Sequence, residues 1–341
     1  MTHSTENTSN RIVLISDIHY HLFQGFSRDG GRSRLADISS VVLQCKDYCV
    51  SKGITKVAIL GDVFEKRGTI DSIVYNTFTD DVKQFLNAGI ELFIIPGNHD
   101  QDLISNATWE NSLEPLADLS EKLHIFSEPT KHTIAGKVVQ FVPYIHATNA
   151  LQAVLTASGA DYAFVHAGIL GARLIDSDYR VKDGLNLDEI DNIPIFSGHY
   201  HTPQTLGRAV YLGSPIHHSF NDTGQVKSFI DLDLDTGKFQ RIPTIYPKFV
   251  RLTIEDLGDI FDIDSQDYYR ITVAEKVLDA KHHAHLQAHT KEYEVIYTIK
   301  KDTETYTTSF DDDNRCLRKF IEKEFNESHL ELYKEAKRYI C

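Results

Sequence analysis

The sequence predicts an α/β fold in which two β-sheets pack face to face with helices on their outer sides, followed by a small α+β domain. Short apolar runs alternate with helical patterns from Arg11 to Ile95, and a series of short β-rich runs follows. The pattern then breaks near residues 246–248, where prolines interrupt it. These observations predict two domains, residues 1–245 and residues 246–341.

The first part of the chain predicts a parallel sheet. Apolar runs at Arg11–Ser16, Lys56–Leu60 and Glu91–Ile95 have the length and composition of buried strands. Between them, apolar residues recur at helical spacing over Arg34–Ser51 and Ser72–Ala88. The order strand, helix, strand, helix, strand is typical of parallel strands joined by crossover helices.

The middle of the chain keeps its predicted strands but changes their connections. A hairpin is predicted around Asp235-Thr236-Gly237, between strands at Val226–Leu234 and Lys238–Ile245. The remaining predicted strands are Val138–Pro143, Tyr162–Val165, Pro194–Ser197 and Ala209–Leu212. Together with the first three strands they predict two sheets packed on each other.

The C-terminal domain is predicted to hold strands at Tyr268–Ala274 and Glu294–Lys300 and a final amphipathic helix over Asn314–Ile340. A histidine-rich helix lies between the two strands. We interpret its histidines as a solvated helix face rather than a further metal site. They are His282, His283, His285 and His289.

The composition restricts the class of protein. The 341 residues are 41% hydrophobic and 25% charged, which is ordinary for a globular protein, and no apolar run approaches the roughly 20 residues that span a bilayer. The four cysteines match neither a zinc ribbon nor a disulfide framework and are interpreted as free thiols. With a polar N-terminus that lacks a signal peptide, these features predict a cytoplasmic protein without a membrane partner. The net charge of −14 argues against a protein that only binds DNA backbone.

Polar clusters follow five of the predicted strands, where ligands of α/β sheets usually bind. Such clusters would converge in space although they are far apart in sequence. Their candidate functional residues are Asp17, His19, Asp62, Asn98, His99, His166, His199 and His201.

The residue types in these clusters predict metal chemistry. Aspartate and histidine suit Mn²⁺, Zn²⁺ or Fe²⁺, and the spacing of two in Asp17-Ile18-His19 puts both side chains on one side of an extended segment. Asp62 could bridge two ions with its two oxygens, and two ions roughly 3.5–4 Å apart can clamp a phosphoryl group and activate a water. His99 would then act as a general acid or stabilise the transition state.

Each cluster alone has an ordinary explanation. An isolated Asp-X-His is usually a loop pair, and Gly-Asp or Gly-Asn-His-Asp can be simple turns. The metal interpretation depends on their occurring together, in order, after apolar strands. His21, His217 and His218 stay ambiguous because they lie close to the predicted site. Three further histidines are interpreted as ordinary surface or loop residues: His124, His132 and His146.

The order Asp-X-His, Gly-Asp, Gly-Asn-His, single His and Gly-His-X-His resembles the calcineurin-like metallophosphoesterase superfamily over roughly residues 11 to 234. The resemblance implies a four-layer α/β/β/α sandwich and a catalytic role for His99. It implies one metal held by Asp17, His19, Asp62 and His201, and a second held by Asp62, Asn98, His166 and His199.

Two segments, Gly61–Arg67 and Tyr211–Ile216 with its Gly-Ser-Pro, resemble the SbcD nuclease family, and the short chain is most similar to that family's phage members. This implies a DNA exonuclease and endonuclease of recombination and repair, whose C-terminal domain caps the site and helps position DNA. The implied metal is Mn²⁺, with Zn²⁺, Fe²⁺ and Mg²⁺ as alternatives. The implied partners are DNA, an SbcC-like coiled-coil ATPase subunit and a second copy in a homodimer.

The chain departs from the family pattern at two positions. His21 stands where cellular relatives often have glycine, and Glu65 stands where many members carry an accessory histidine. The first change would affect loop shape, and the second puts the accessory role in doubt. The helix at Asn314–Ile340 could dock the partner's coiled coil or pack on its own domain.

Two other functions compete with the nuclease. The first is a phosphatase or cyclic-nucleotide phosphodiesterase of the same superfamily. Protein phosphatases carry Gly-Asn-His-Glu and a tighter Gly-Asp-X-X-Asp-Arg-Gly, so Asp100 and the extra residue before Arg67 disfavour a phosphatase. A phosphodiesterase of small substrates would not need the C-terminal domain. A non-catalytic scaffold for DNA ends is disfavoured because every predicted metal ligand is present.

Overall fold

The computed structural model describes residues 10–23, 29–101, 109–156, 158–174, 179–274, 276–301 and 304–309. The chain divides into two compact units, Met1–Lys248 and Phe249–Cys341. The predicted helix at Asn314–Ile340 lies outside the described residues. Among the helices that the structure describes, none is long and apolar enough to cross a membrane.

The elements follow one another in this order. In the first unit the strands are β1 (Arg11–Ile15), β2 (Lys56–Leu60), β3 (Glu91–Ile95), β4 (Leu123–Ile125), β5 (Thr130–Ile134), β6 (Lys137–Val142), β7 (Tyr162–His166), β8 (Ile195–Gly198), β9 (Gln204–Leu206), β10 (Ala209–Tyr211), β11 (Ser228–Asp233) and β12 (Phe239–Pro243). Its helices are α1 (Arg32–Lys52), α2 (Ser72–Asn87) and α3 (Thr148–Leu155). The second unit has β13 (Phe249–Ile254), β14 (Tyr268–Ala274), α4 (Ala280–His289), β15 (Glu292–Lys301) and β16 (Glu304–Ser309).

Strand β1 shows why the apolar runs lie between two layers. Successive side chains of a strand point to opposite faces, so an uninterrupted apolar run can fill two cores. Ile12 and Leu14 pack into the core between the sheets. Val13 and Ile15 pack into a second core that also contains apolar residues of α1 and α2. A strand with only one apolar face could not occupy this place.

The first sheet has the order β12-β11-β1-β2-β3-β4. Strands β1, β2, β3 and β4 are parallel, and β11 joins β1 in antiparallel orientation. The predicted hairpin is confirmed, since β11 and β12 pair in antiparallel register. All carboxyl ends of the parallel strands therefore lie at one edge of the sheet.

The second sheet has the order β5-β6-β7-β8-β10-β9 and packs against the first. Phe141 and Phe164 contribute to the shared core from this sheet. Its other face is covered by α3, whose Leu151 and Leu155 are buried there. The layers are thus helix, sheet, sheet, helix, and the predicted four-layer α/β/β/α sandwich is confirmed.

The second unit is a four-stranded sheet of order β13-β14-β15-β16 with α4 beside it. Strands β13, β14 and β15 are parallel and β16 is antiparallel. The histidines of α4 are less solvated than expected: His285 Nε2 lies 2.8 Å from the Ile263 carbonyl oxygen, and His283 Nδ1 lies 2.9 Å from the Tyr293 hydroxyl. Their contacts fix the helix within its own unit.

Candidate metal centre

The candidate residues lie on loops at the carboxyl ends of five strands. The loops after β1, β2 and β3 come from the first sheet, and those at the ends of β7 and β8 come from the second. The backbone links the loops after β1 and β2, because Asp17 N donates to Gly61 O at 3.1 Å and His19 N donates to Asp62 O at 3.0 Å. Across the two sheets, His199 N donates to Asp17 Oδ1 at 2.9 Å. The packing of the sheets thus brings together segments that are far apart in the sequence.

Four candidate ligands have an unusual backbone conformation. Positive φ angles occur at Asp17 (54°), His19 (51°), Asp62 (50°) and His199 (97°). Left-handed conformations are unfavourable for residues with a side chain and concentrate at functional sites. Among the described residues only Ala135 is a further non-glycine example.

One group of donors is formed by Asp17, His19 and His201, whose ligand atoms all lie within 4.8 Å of one another. His19 Nε2 and His201 Nε2 are 3.0 Å apart. Asp17 is fully buried, and both its carboxylate oxygens accept from the His199 backbone N–H, at 2.9 and 3.2 Å. The second sheet thereby holds a carboxylate of the first.

A second group is formed by Asp62, His166 and His199. Asn98 lies between the two histidines, with its Oδ1 3.1 Å from His166 Nε2 and 2.8 Å from His199 Nδ1. The other ring nitrogen of His166 lies 2.7 Å from the Leu60 carbonyl oxygen. That contact fixes the ring, so that Nε2 faces Asn98 and Asp62.

Asp62 connects the two groups. Its Oδ2 lies 3.6 Å from His19 Nε2, and its Oδ1 lies 3.4 Å from His166 Nε2. Burial would raise the pKa of Asp62, but His166 and His19 outweigh burial and hold it well below its usual value. Asp62 is therefore a carboxylate with one oxygen toward each group, as a bridging ligand requires.

The histidines of the site differ in charge. Burial, together with the neighbouring His166, lowers the pKa of His199 to about 3. Burial and His19 lower the pKa of His201 to about 4. For His166, burial acts in the same direction but the Asp62 carboxylate outweighs it and raises the pKa to about 9. His199 and His201 are thus neutral, which is the form that ligates metals, whereas His166 would have to release a proton for a metal to bind at its Nε2.

The donor set fits divalent ions. Two nitrogens bound at about 2.1 Å, at right angles on one ion, would be about 3.0 Å apart, which is the separation of the His19 and His201 nitrogens. The contacts of Asn98 Oδ1 with His166 and His199 have similar lengths. The fold and these clusters of imidazole and carboxylate donors imply divalent metals.

Glycines allow the loops to approach closely. A Cβ atom on Gly97 would lie 2.2 Å from Asp62 Oδ1, and one on Gly198 would lie 2.0 Å from Ser16 Oγ. Gly61 has a φ of +88°, and a Cβ there would lie 2.3 Å from His166 Nδ1. The glycines of the Gly-Asp, Gly-Asn-His and Gly-His-X-His motifs are therefore needed for space as well as for turns.

His99 lies beside the first group, and with His19 and Glu65 it forms a third group of possible donors. Its ring centroid is 4.9 Å from that of His19, and its Nδ1 lies 2.6 Å from the Glu65 carbonyl oxygen. The backbone N–H of His99 donates to Asp62 Oδ1 at 2.9 Å. With Nδ1 held by the main chain, Nε2 is the nitrogen left for a substrate. All eight predicted residues thus lie in one network, and their roles as ligands and catalyst stay predictions.

A supporting layer was not predicted from the sequence. Lys227 is buried, and its Nζ donates to Asp222 Oδ1 at 2.6 Å, to Gln225 Oε1 at 2.8 Å and to the main-chain oxygen of His201 at 2.8 Å. Asp222 also accepts from the backbone N–H of His218 at 2.9 Å. Neither Lys227 nor Asp222 belongs to a motif, so only the folded chain brings them to His201.

Two residues near the motifs, Asp100 and His218, make hydrogen-bond contacts with the loops of the site. Asp100 accepts backbone hydrogen bonds from Val63 at 3.1 Å, Phe64 at 3.0 Å and Gly97 at 2.9 Å, so it joins the loops after β2 and β3. His218 Nε2 lies 2.8 Å from the Asp17 carbonyl oxygen. Its ring centroid is 5.0 Å from those of both His19 and His201.

The three histidines that the sequence left ambiguous differ in their contacts. His218 packs against two candidate ligands, whereas His21 contacts the main chain through Nδ1, 2.5 Å from the His19 carbonyl oxygen. The neighbouring His217 points away from the ligands, with its Nε2 2.9 Å from Gln225 O. The Gly-Ser-Pro segment that precedes His217 was the one sequence signal for this region.

A two-sheet α/β sandwich with two adjoining groups of imidazole and carboxylate donors defines a metallophosphoesterase-type protein. The calcineurin-like phosphoesterase family model matches residues 10–230, and the chain belongs to that family.

Two curated relatives belong to nucleases. The chain is 24% identical over 205 residues to exonuclease subunit 1 of Enterobacteria phage T4, covering 59% of this chain and 60% of the relative. It is 23% identical over 250 residues to the SbcD component of the SbcCD nuclease of Bacillus subtilis strain 168, covering 61% of this chain and 63% of the relative. The matches thus span about three fifths of the length of these relatives.

Proposed function

We propose that this chain is a metal-dependent phosphodiesterase that cleaves DNA as an exonuclease and endonuclease in recombination and repair. The observation that carries the proposal is Asp62, whose two oxygens face two separate donor groups. The similarity to proteins named as exonuclease and nuclease supports DNA as the substrate. By the same similarity we propose an SbcC-like ATPase partner and a homodimer.

The proposed ligands form two sets, one for each ion. Asp17, His19, Asp62 and His201 would hold one ion, and Asp62, Asn98, His166 and His199 would hold the other. Divalent ions bound there, with Mn²⁺ as the proposed metal, would supply polarisation of the phosphoryl oxygens and an activated water. Asp62 keeps its negative charge because His166 and His19 hold its pKa low. The supporting hydrogen bonds then keep each donor in place before substrate arrives.

His99 supplies the proton chemistry. Its Nδ1 is fixed by the Glu65 carbonyl oxygen at 2.6 Å, so the ring is oriented without occupying Nε2. A protonated Nε2 can donate to a phosphoryl oxygen or to the leaving oxygen when the ester bond breaks. This role needs a side chain next to the two proposed ion sites that is not among their proposed ligands, and His99 has that position, with its ring centroid 4.9 Å from that of His19.

A positively charged groove favours a polyanionic substrate over a small phosphate ester. The groove has a volume of about 540 Å³ and adjoins the site at Thr202, the residue after His201. Its described lining includes Arg173 and Arg180 and no carboxylate side chain, although the chain as a whole carries a net charge of −14. Phosphates on either side of a cleaved bond would find cationic partners there.

The test compares substrates on the full-length protein after removal of metal and addition of Mn²⁺. Linear duplex DNA, closed circular single-stranded DNA, nitrophenyl phosphate esters and cyclic nucleotides are assayed with and without an SbcC-type ATPase from the same source. We expect DNA cleavage that depends on Mn²⁺. Cleavage of nitrophenyl esters but of no DNA under both conditions would contradict the nuclease.

Variants separate binding of metal from chemistry. His99→Ala should lower the rate of DNA cleavage by about 10²–10⁴-fold while the metal content stays unchanged. Asp62→Asn should lose both metal content and activity, because each donor group loses its shared carboxylate. His132→Ala is the matched control, since His132 lies on β5 away from the donor groups. Full activity of His99→Ala would refute the proposed acid role.

A further inference from the structure

Glu65 stands where many members of the resembled nuclease family carry an accessory histidine, and its surroundings indicate a different task. Its Oε2 lies 2.7 Å from His19 Nδ1, and its main-chain oxygen lies 2.6 Å from His99 Nδ1. One residue therefore contacts a candidate metal ligand through its side chain and the candidate acid through its backbone. We propose that Glu65 is a positioning residue that orients His19 toward the metal.

The argument starts from the two nitrogens of His19. Nε2 faces the donors of the site, at 3.0 Å from His201 Nε2 and 3.6 Å from Asp62 Oδ2. Nδ1 lies on the opposite side of the ring, where Glu65 Oε2 is its close polar neighbour. A carboxylate at the second nitrogen of a metal-binding histidine fixes the tautomer and the ring orientation and makes the first nitrogen a stronger ligand.

The position of Glu65 is itself fixed by the backbone. Its N–H donates to the Tyr20 carbonyl oxygen at 3.3 Å, and Tyr20 N donates to Val63 O at 2.7 Å. Tyr20 and Phe64 form an isolated bridge between the loops after β1 and β2. The carboxylate thus reaches His19 from a neighbouring loop that is already attached to the segment it orients.

Direct coordination of a metal by Glu65 fits the distances less well. Glu65, His19 and His99 do form a group of possible donors whose ligand atoms lie within 4.8 Å of one another. The Glu65 contact, however, is made with His19 Nδ1, whereas His19 Nε2 is the nitrogen that lies 3.0 Å from His201 Nε2 and 3.6 Å from Asp62 Oδ2. An ion held by Glu65 and His19 Nδ1 would therefore lie on the opposite side of the ring from the Asp62 and His201 donors. The His19 side chain is 2% exposed and that of Glu65 is 45% exposed, so solvent reaches the carboxylate rather than the ligand.

The exposure of Glu65 also decides the design of the test. Because nearly half of its side chain is in solvent, truncation should leave the fold intact, which circular dichroism and thermal unfolding of the metal-free protein would check. The variants are Glu65→Ala, Glu65→Gln and Glu65→Asp. The control is Glu121→Ala, which removes an exposed carboxylate from the same unit.

The measurement is Mn²⁺ binding by titration calorimetry and by metal analysis after equilibrium dialysis, without DNA. We expect Glu65→Ala to weaken the affinity of one ion by about 10–100-fold, while two ions still bind at saturation. Glu65→Gln should recover part of the affinity, since an amide oxygen can still accept from Nδ1. Electron paramagnetic resonance of bound Mn²⁺ should change in Glu65→Ala and remain unchanged in Glu121→Ala.

Two results would overturn the inference. An affinity within twofold of wild type in Glu65→Ala would show that the contact does not position His19. Loss of one bound ion at saturating Mn²⁺ would show that Glu65 is itself a ligand. The inference rests on the proposed metal ligands, but a wild-type protein that binds two ions and cleaves no DNA would refute the nuclease and leave the role of Glu65 standing.

Discussion

Substitution of Lys227 by methionine tests how far the candidate site depends on residues outside its motifs. The lysine side chain is fully buried next to Asp222, which is 7% exposed. Its ammonium group has three acceptors within 2.8 Å, and one of them is the main-chain oxygen of His201. Methionine has a similar length but neither the charge nor the hydrogen-bond donors, so the change removes these interactions with little loss of volume.

The expected loss of stability follows from the charge that remains. Breaking a buried ion pair by removing one partner costs about 3–5 kcal/mol, because the other charge stays in the interior without compensation. Asp222 would retain only backbone donors, such as the N–H groups of His218 and Ser219. We therefore expect Lys227→Met to lower the free energy of unfolding of the first unit by about 3–5 kcal/mol near neutral pH.

The loss should depend on pH in a defined direction. Burial would raise the pKa of Asp222, but Lys227 outweighs burial and holds that pKa below its usual value. A carboxyl with a depressed folded pKa stabilises the protein above its unfolded pKa, and this contribution disappears as the pH falls through the folded pKa. The difference between wild type and Lys227→Met should therefore be largest near neutral pH and should shrink below about pH 4.

Urea unfolding followed by tryptophan fluorescence measures this difference. Trp109 is the single tryptophan of the chain and lies in the first unit, so its signal reports on that unit. Lys238→Met, on an exposed turn residue, should change the free energy of unfolding by less than about 0.5 kcal/mol. The double variant Lys227→Met, Asp222→Asn should recover much of the loss. A loss below about 1 kcal/mol for Lys227→Met alone would refute the reasoning.

Two further predictions concern the shape and charge of the site. Gly97→Ala should displace Asp62, because Asp62 Oδ1 would lie 2.2 Å from the new Cβ. This change should lower the Mn²⁺ affinity at least about tenfold in dialysis experiments. The control Gly258→Ala, where the nearest atom to a new Cβ is 3.4 Å away, should leave the affinity unchanged. The double variant Arg173→Ala, Arg180→Ala should reduce the slope of log affinity for single-stranded DNA against log salt concentration by about 1.4, because both arginines are proposed to contact phosphates. An unchanged slope would show that DNA does not bind in this groove.

The layers of the fold could be predicted because apolar runs must be covered on both sides. Strands β2 and β3 have the predicted bounds, and β1 differs by one residue at its end. Strands β4 and β9, of three residues each, were missed, whereas β10 is equally short but consists of apolar residues and was predicted. Strands β5, β13 and β16 were missed as well. Helix α3 was missed as well, because its eight residues cover the second sheet with only two buried leucines.

The candidate site likewise contains residues that local sequence motifs mark and residues that only the tertiary fold brings together. Metal donors such as Asp62 and Asn98 follow strands directly, so their convergence follows from topology alone. Lys227 donates to Asp222 and to the main-chain oxygen of His201, which lies 26 positions away in the sequence, and no local pattern marks such a contact. The sequence marked Glu65 as a departure from a family pattern, but its proposed role in orienting His19 follows only from the 2.7 Å contact in the structure.

The acidic character of the chain is consistent with the proposed DNA substrate once the charges are placed. The donor groups bring the buried carboxylates Asp17 and Asp62 together, with Asp100 behind them, so the metal-free centre would repel a phosphate. Burial and the charge of Asp62 already raise the pKa of Asp100 to about 6, which shows how strongly negative charge is concentrated there. Two divalent cations carry four positive charges and would reverse the sign of this centre locally, whatever the net charge of the chain. Affinity for a polyanion should therefore depend on metal loading more steeply than on surface charge, and the Arg173 and Arg180 groove would add to a field that the metals establish.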